Sequence, residues 1–300
     1  MNTVAFDLGT DTIRVVSLKR TPKAISIVRA ASVKMEIGPD TEKEEKLRLE
    51  QQALAELVST SKSHSRQARL VLRRSSVYLR HLKLPRVPED ELKKAIRWQA
   101  DKILPFPAAE AIIDFQVLDK GELNRPDEIE IILVALPQAV IQDAINLFAE
   151  QKINLDIVDV PAFSIIKSYH RNYATDEGAT LMLDVSVDLL SIAIVNESLL
   201  QFSRQMHVRE FDLDYLVGQI NSALLYYQFE FPRTAITRVI LSGDAEIVKG
   251  LADGLGHKLE IRTEIADPLR NIHLEPGKFF NVDELKSQAS GYMGAIGLAL

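Results

Sequence analysis

The sequence predicts an α/β protein made of two related halves, with a separate α+β segment inserted into the chain. Three observations carry that prediction. The chain opens with a hairpin and runs strand, strand, strand, helix, strand, whereas a doubly wound sheet would alternate strand with helix. The pattern of hydrophobic strand, aspartate, tight turn and second strand occurs twice, as AFDLGTDTIRVV and as MLDVSVDLLSIAI. Such an internal duplication says more than either hairpin alone. Finally, residues 78–155 have a grammar and a proline punctuation of their own.

In chain order, VAFDLG and TIRVVSL read as strands by their β-branched content and apolar runs, and AISIVRAASVKM as a third. TEKEEKLRLEQQALAELVSTSK is acidic at its start and places Leu47, Leu54, Leu57 and Val58 close to helical spacing. ARLVLR follows as a buried strand. In the inserted segment, VYLRHLKLP is a strand ended by Pro85. PEDELKKAIRWQADKIL is a helix with Pro88 and acidic residues in its first turn, where the helix dipole favours them. IDFQVLDKG and EIEIILVAL are strands around the polar loop KGELNRPDE, and PQAVIQDAINLFAEQKI is a second helix. LDIVDVPAFSIIKSYH then reads as strand into helix. ATLMLDVSVDLLSIAIVNESLLQFSRQMHV repeats the opening pattern. TRVILSGDAEIVKGLADGLG is a strand, a glycine turn and a helix, KLEIRTEI a strand, and SQASGYMGAIGLAL a small-residue helix.

The bulk numbers exclude several classes. A net charge of −6, with both signs spread along 300 residues, argues against bulk nucleic-acid binding. The basic run from Arg66 through Arg69 to Arg73 and Arg74 is expected to be a solvated face. No cysteine is present, so disulfides and thiolate metal sites are excluded. The longest apolar stretch, residues 131–141, is too short to cross a bilayer and contains Pro137 and Gln138. The start of the chain lacks the basic segment and apolar core of a signal peptide. A cytoplasmic protein, held at a membrane only through a partner, is the expectation. The histidines at 64, 81, 170, 207, 257 and 273 have no metal-ligand spacing, and Ser59 and Ser61 near His64 read as loop residues. No catalytic residue is assigned.

Taken together, VAFDLGTDTIRVVSL, RRSSVYLRHLKLP with PEDELKKAIRWQADKILPFPAAEAIIDFQVL, VALPQAVIQDAINLFAEQKINLDIVDVPAFSII, LLYYQFEFP, VILSGDAEIVKGLADGL and IADPLRNI resemble the PilM family of type IV pilus assembly. That family belongs to the FtsA and actin-like ATPase superfamily, and the cytoplasmic domain of GspL in type II secretion is a close relative. The helix and strand around Pro105-Phe106 carry the most specific part of the resemblance. It implies an actin-like (ribonuclease H-like) two-lobed fold. The first lobe would comprise residues 1–77, 156–178 and 290–300, the inserted subdomain 78–155, and a reduced second lobe 179–289. It further implies ATP and magnesium between the lobes. The implied partner is the cytoplasmic tail of PilN, a bitopic membrane protein, and through it the inner-membrane platform.

The loops decide whether that chemistry is expected to survive. A phosphate cradle brings backbone N–H groups close to the anion, so glycine recurs where a Cβ would obstruct. In the first loop Gly9 allows the turn, Thr10, Asp11 and Thr12 offer N–H and hydroxyl donors, and Asp7 could hold magnesium through water. Asp184 could share that metal. The resemblance expects Asp-x-Gly in the second loop, where this chain has Asp184-Val185-Ser186-Val187-Asp188, so a carboxylate is expected where phosphates would lie. A family glycine pair is replaced by Arg209-Glu210, and the glycines of the nucleotide loop by Ser242-Gly243-Asp244. A helical excursion is missing, because residues 212–224 lead almost directly into what reads as the next helix. A pseudo-ATPase adaptor is therefore expected, with an ATP- and magnesium-binding switch as the rival, a GspL-like domain as a close variant, and a sugar or acetate kinase as a third reading. Trp98, the only tryptophan, is expected either to pack in the core or, by resemblance, to border a groove for the partner tail with Ile96, Ile103, Pro105 and Phe106.

Overall fold

The computed structural model describes residues 2–38, 41–61, 65–118, 127–173, 178–197, 199–208, 212–232, 234–275 and 280–300. His64, most of the KGELNRPDE loop, and the Arg209-Glu210 pair lie outside the described residues. The described elements are β1 (Asn2–Leu8), β2 (Thr12–Arg20), β3 (Ile25–Lys34), α1 (Lys43–Ser61), β4 (Gln67–Leu72), β5 (Tyr78–Pro85), α2 (Glu89–Ile103), β6 (Ala111–Val117), β7 (Glu128–Pro137) and α3 (Gln138–Glu150). There follow β8 (Asn154–Asp159), α4 (Pro161–Asn172), β9 (Ala179–Ser186), β10 (Leu189–Asn196), β11 (Leu199–His207) and α5 (Leu213–Glu230). The chain ends with β12 (Ile236–Gly243), α6 (Ala245–Leu259), β13 (Thr263–Ile265), β14 (His273–Leu274), α7 (Val282–Ser287) and α8 (Met293–Ala299).

The duplication read from the sequence is a duplication of sheets. Among the described residues one sheet has the order β14-β3-β2-β1-β4-β8 and another β11-β10-β9-β12-β13. In each, three antiparallel strands form a meander. The first strand of each meander then pairs in parallel with a strand reached after a helix, and a further parallel strand follows. Asp7 lies opposite Val71, and Asp184 opposite Ser242, near the ends of equivalent parallel pairings. The short strand β14 adds in parallel to β3, a pairing that the local pattern did not predict.

The central strands read as continuous apolar runs because both of their faces are covered. Val4 through Leu8 are buried without interruption, as expected of a strand between helical layers rather than at a solvated face. Ala5, Val16 and Val71 pack with Tyr292, Ala295, Ile296 and Leu298 of the C-terminal segment. On the other side Phe6 meets Phe148 edge to face, 5.1 Å between ring centroids. In the second sheet Leu181, Leu183, Ile192, Val239 and Leu241 pack against Leu216, Ile220 and Tyr227 of α5 and Val248 and Leu255 of α6. Each large apolar side chain so buried contributes about 1.5–3 kcal/mol.

Three readings change. Ser59 and Ser61, read as loop residues, lie in the last turn of α1. Residues 212–224 and the following helix are one continuous helix, α5, capped by Asp212, whose side chain accepts from the Tyr215 amide. KLEIRTEI is not one strand: its first residues close α6, Glu260 adopts a left-handed backbone, and only Thr263–Ile265 pair in the sheet.

The chain divides into two compact units, Met1–Arg74 with Leu147–Leu300, and Ser75–Asn146. The second unit overlaps the segment expected at 78–155, but β8 pairs with β4 and so counts with the first unit. In the second unit β7 lies between β5 and β6. Ile129, Ile131, Leu133 and Ala135, two apart along β7, meet Leu92, Ile96 and Ala100, four apart along α2. The two periodicities of strand and helix thus share one core.

Candidate functional site

The site is built where the paired strand ends of the two sheets converge. Asp7 is fully buried and Asp184 nearly so, and between them lies the guanidinium of Arg73, only 5% exposed. Arg73 grips Asp7 with two bonds, Nε to Oδ1 at 2.6 Å and Nη2 to Oδ2 at 2.9 Å. Its Nη1 donates to Asp184 Oδ2. The remaining oxygen, Asp184 Oδ1, accepts from Ser242 Oγ at 2.7 Å. Every carboxylate oxygen of the pair therefore has a protein donor. A fork of this kind is the geometry in which arginine and carboxylate interact most strongly. The C-terminal segment closes against it: a Cβ at Gly294 would lie 2.4 Å from Asp7 Oδ2.

The two aspartates proposed as metal ligands do come together, but around an arginine. Tested against magnesium, the donor set does not fit. A hard cation needs free oxygen ligands in near-octahedral array, and three of these oxygens are engaged by a fixed positive charge and the fourth by the Ser242 hydroxyl. Among the described residues no group of three or more His, Cys, Asp or Glu is placed to hold a metal ion.

The first loop is closed by its own groups. The Gly9 amide donates to Thr12 O at 3.0 Å, closing the turn. A Cβ at Gly9 would lie 2.6 Å from that same oxygen, so glycine is needed for the hairpin itself. Asp11 is buried, its Oδ1 accepts from Thr12 Oγ1 at 3.0 Å, and its Oδ2 and Thr10 Oγ1 have no partner. Burial pushes the Asp11 carboxyl above its usual range, against the opposing pull of the Thr12 hydroxyl, Arg14 and Lys34, while Asp244 adds to the rise. Asp11 and Val187 line one cleft of about 540 Å³ with Lys34, Met35, Glu36, Ile37 and Gly38.

The second half closes in its own way. Ser186 Oγ reaches Leu189 O at 3.4 Å across the β9–β10 turn. Asp188, expected to face the phosphate position, instead sits with Oδ2 4.0 Å from His207 Nδ1, and its carbonyl accepts from Val208. Gly243 has φ of 109°, and a Cβ there would lie 1.8 Å from Val185 O, so no other residue fits without moving the strand. Asp244 caps α6, its Oδ1 accepting from the amides of Glu246 and Ile247. A helix N-terminus that could bind an anion is thereby satisfied from within.

Arg73 is the functional residue that sequence reasoning missed, and it corrects the expected solvated face. Of that basic run, Arg69 Nη1 donates to Leu298 O, Arg74 Nη2 to Glu50 Oε1, and Arg73 is buried. The available signal was its place directly after the buried strand ARLVL, equivalent to Asp244 after VILSG.

The five residues expected to border a partner groove separate by depth within the second unit. Ile96 lies in its core. Ile103 and Phe106 pack at the edge of that core, Phe106 meeting Tyr78 edge to face at 5.5 Å between centroids. Pro105 is exposed, and its turn is held by the Ala108 amide donating to Asp101 Oδ1 at 2.9 Å. Trp98 is 63% exposed, with the Lys102 ammonium 3.1 Å above its ring centroid. Core packing of Trp98 is therefore excluded.

No helix among the described residues is long and apolar enough to cross a membrane. Comparison with known proteins agrees with the duplicated sheets. A solved PilM–PilN type IV pilus biogenesis complex contains a chain 20% identical, aligned over 99% of this chain and 97% of that one with a TM-score of 0.80. The cytoplasmic domain of EpsL, an inner-membrane component of the Vibrio cholerae type II secretion system, aligns over 96% and 94% at 12% identity, with a TM-score of 0.51. A Bacteroides thetaiotaomicron protein with an actin-like ATPase fold aligns over 90% and 92% at 11% identity, also at 0.51. The fold is actin-like. The family model described as type IV pilus assembly protein PilM matches residues 5–209 and 211–300, and the chain belongs to that family.

Proposed function

We propose that this chain is a docking component of a type IV pilus inner-membrane platform, that it captures the cytoplasmic tail of a PilN-like membrane protein on its inserted unit, and that it works without ATP turnover. The observation that carries the last part is Arg73. Its guanidinium supplies, from within the chain, positive charge between Asp7 and Asp184. The three groups together keep a net charge of −1, and Asp11 and Asp244 add carboxylates to the same corner. A polyphosphate entering there meets acidic groups, and the amides of Gly9, Glu246 and Ile247 are already bonded within the chain. The tail-binding part is supported by the family match and by the likeness to a PilM–PilN complex. Exposed Trp98 and Pro105, and half-buried Phe106, are the apolar contacts offered to an extended peptide. The reading puts the chain on the cytoplasmic side of the inner membrane, held there by its partner. A GspL-like role in a secretion platform is the second reading, supported by the EpsL likeness. The full-length family match favours the pilus.

Calorimetry with ATP and magnesium tests the proposal. No heat of binding is expected, and capture of a PilN-like tail peptide should be the same with and without nucleotide. Submicromolar ATP binding would instead favour a nucleotide switch.

A further inference from the structure

The outer face of α5 carries an apolar stripe. Its inner face, Leu216, Ile220, Ala223, Leu224 and Tyr227, packs into the core of the second sheet. On the other side Tyr215, Leu225, Tyr226 and Phe229 are 48%, 68%, 52% and 82% exposed. Positions 215, 218, 222, 225 and 229 follow the alternating three- and four-residue spacing of a helix–helix seam. From Tyr215 to Phe229 the helix has no charged residue, which is unusual for an exposed surface of this length.

The ends of the stripe are placed symmetrically about Ser222, and Leu225 and Tyr226 on one side of it lie opposite Gln219 and Gly218 on the other. Ser222 is equally distant from Tyr215 and Phe229. In an antiparallel pair of α5 helices centred there, Phe229 of one copy meets Tyr215 of the other. Tyr226 meets Gly218, where a side chain would find open space. Large residues thus face large residues at the ends, and a large residue faces a hole nearer the centre. Isologous twofold contacts need this self-complementarity. A helix docking a different protein does not. A membrane-surface helix would carry lysines and arginines on its polar side, and this span has none.

The area reaches the lower bound for a specific interface. With an aromatic side chain burying about 150–250 Å² and Leu225 less than that, the four exposed residues withdraw at most roughly 500 Å² per copy, or about 1,000 Å² in the pair. Gln219, Asn221 and Gln228 extend that as a neutral polar rim towards the size of a specific interface. We infer that α5 is the surface through which two copies of this chain pair, about a twofold axis passing Ser222. The inference goes beyond the docking role and does not depend on it.

The natural absence of cysteine makes the test direct. Ser222→Cys introduces a single thiol next to its own counterpart across the axis. Gln228→Cys places one about 18 Å from its counterpart along the helices. A short bismaleimide should link Ser222→Cys into a covalent dimer at least tenfold faster than Gln228→Cys. In sedimentation equilibrium, Leu225→Glu should raise the dimer dissociation constant at least tenfold, with unchanged circular dichroism. A wild-type chain that stays monomeric at about 100 µM, equal linking from both cysteines, or a dimer indifferent to Leu225→Glu would overturn the inference.

Discussion

Arg73 and Asp244 occupy equivalent positions in the two halves of the fold. The amide of Arg73 donates to Leu8 O, and that of Asp244 to Val185 O, each continuing the ladder between the first and fourth strands of its sheet. From this common place the side chains diverge. A helix begins at once after Asp244, whose carboxylate caps it. After Arg73 the chain enters the Ser75–Asn146 unit, and the arginine turns back to both aspartates.

Arg73→Ala removes the cation from two buried carboxylates. Breaking a buried pair by deleting one partner costs about 3–5 kcal/mol, and that loss is expected in urea unfolding. Adding Asp7→Asn and Asp184→Asn should recover much of it, because neutral amides no longer repel. A loss below about 1 kcal/mol would contradict the buried geometry.

Asp244→Ala should cost about 1 kcal/mol, the usual value of a helix N-cap, while Asp244→Gly should cost only a few tenths. The glycine variant restores the residue type expected of a nucleotide loop. It should still fail to bind ATP in calorimetry, because Arg73 remains between the aspartates.

Asp11 gives a pH dependence whose sign is fixed. Burial raises its folded-state pKa above the ordinary 3.8, so between those two values the folded state holds more protons than the unfolded. Stability from this group therefore falls as pH rises through that window and is regained as pH falls back through it. Asp11→Asn should raise the urea midpoint near pH 7, and the gain should shrink towards pH 4. A gain that persists unchanged at low pH would mean that packing, not ionisation, is responsible.

The repeated strand, aspartate and turn made Asp7 and Asp184 legible, because an apolar run ending in an aspartate and a tight turn is a local pattern, and it occurs twice. Arg73 was hidden because its partners lie 66 and 111 positions away, and charge clustering alone places arginines in solvent. Ser186 and Asp244 lie in the turn after β9 and at the start of α6. Their local roles, a turn bond and a helix cap, follow from where β10 and α6 begin rather than from residue type. Asp188 was misdirected for a similar reason: the turn sends its side chain towards β11.

Ile96 and Trp98 make the last test, since the helical phase alone separates them. Two residues apart on α2, they point about 200° from one another. Ile96 is 2% exposed beside Leu92 and Ala100, and Trp98 is 63% exposed beneath Lys102. Ile96→Ala should cost about 2–5 kcal/mol through lost burial and the cavity left behind. Trp98→Ala should cost less than about 1 kcal/mol, mostly the cation–π contact with Lys102. A PilN-like tail peptide should bind the Trp98→Ala chain at least tenfold more weakly, although that variant keeps its unfolding midpoint. Undiminished capture by Trp98→Ala would remove this residue from the docking surface, whereas a large loss of stability would mean that the indole supports the fold.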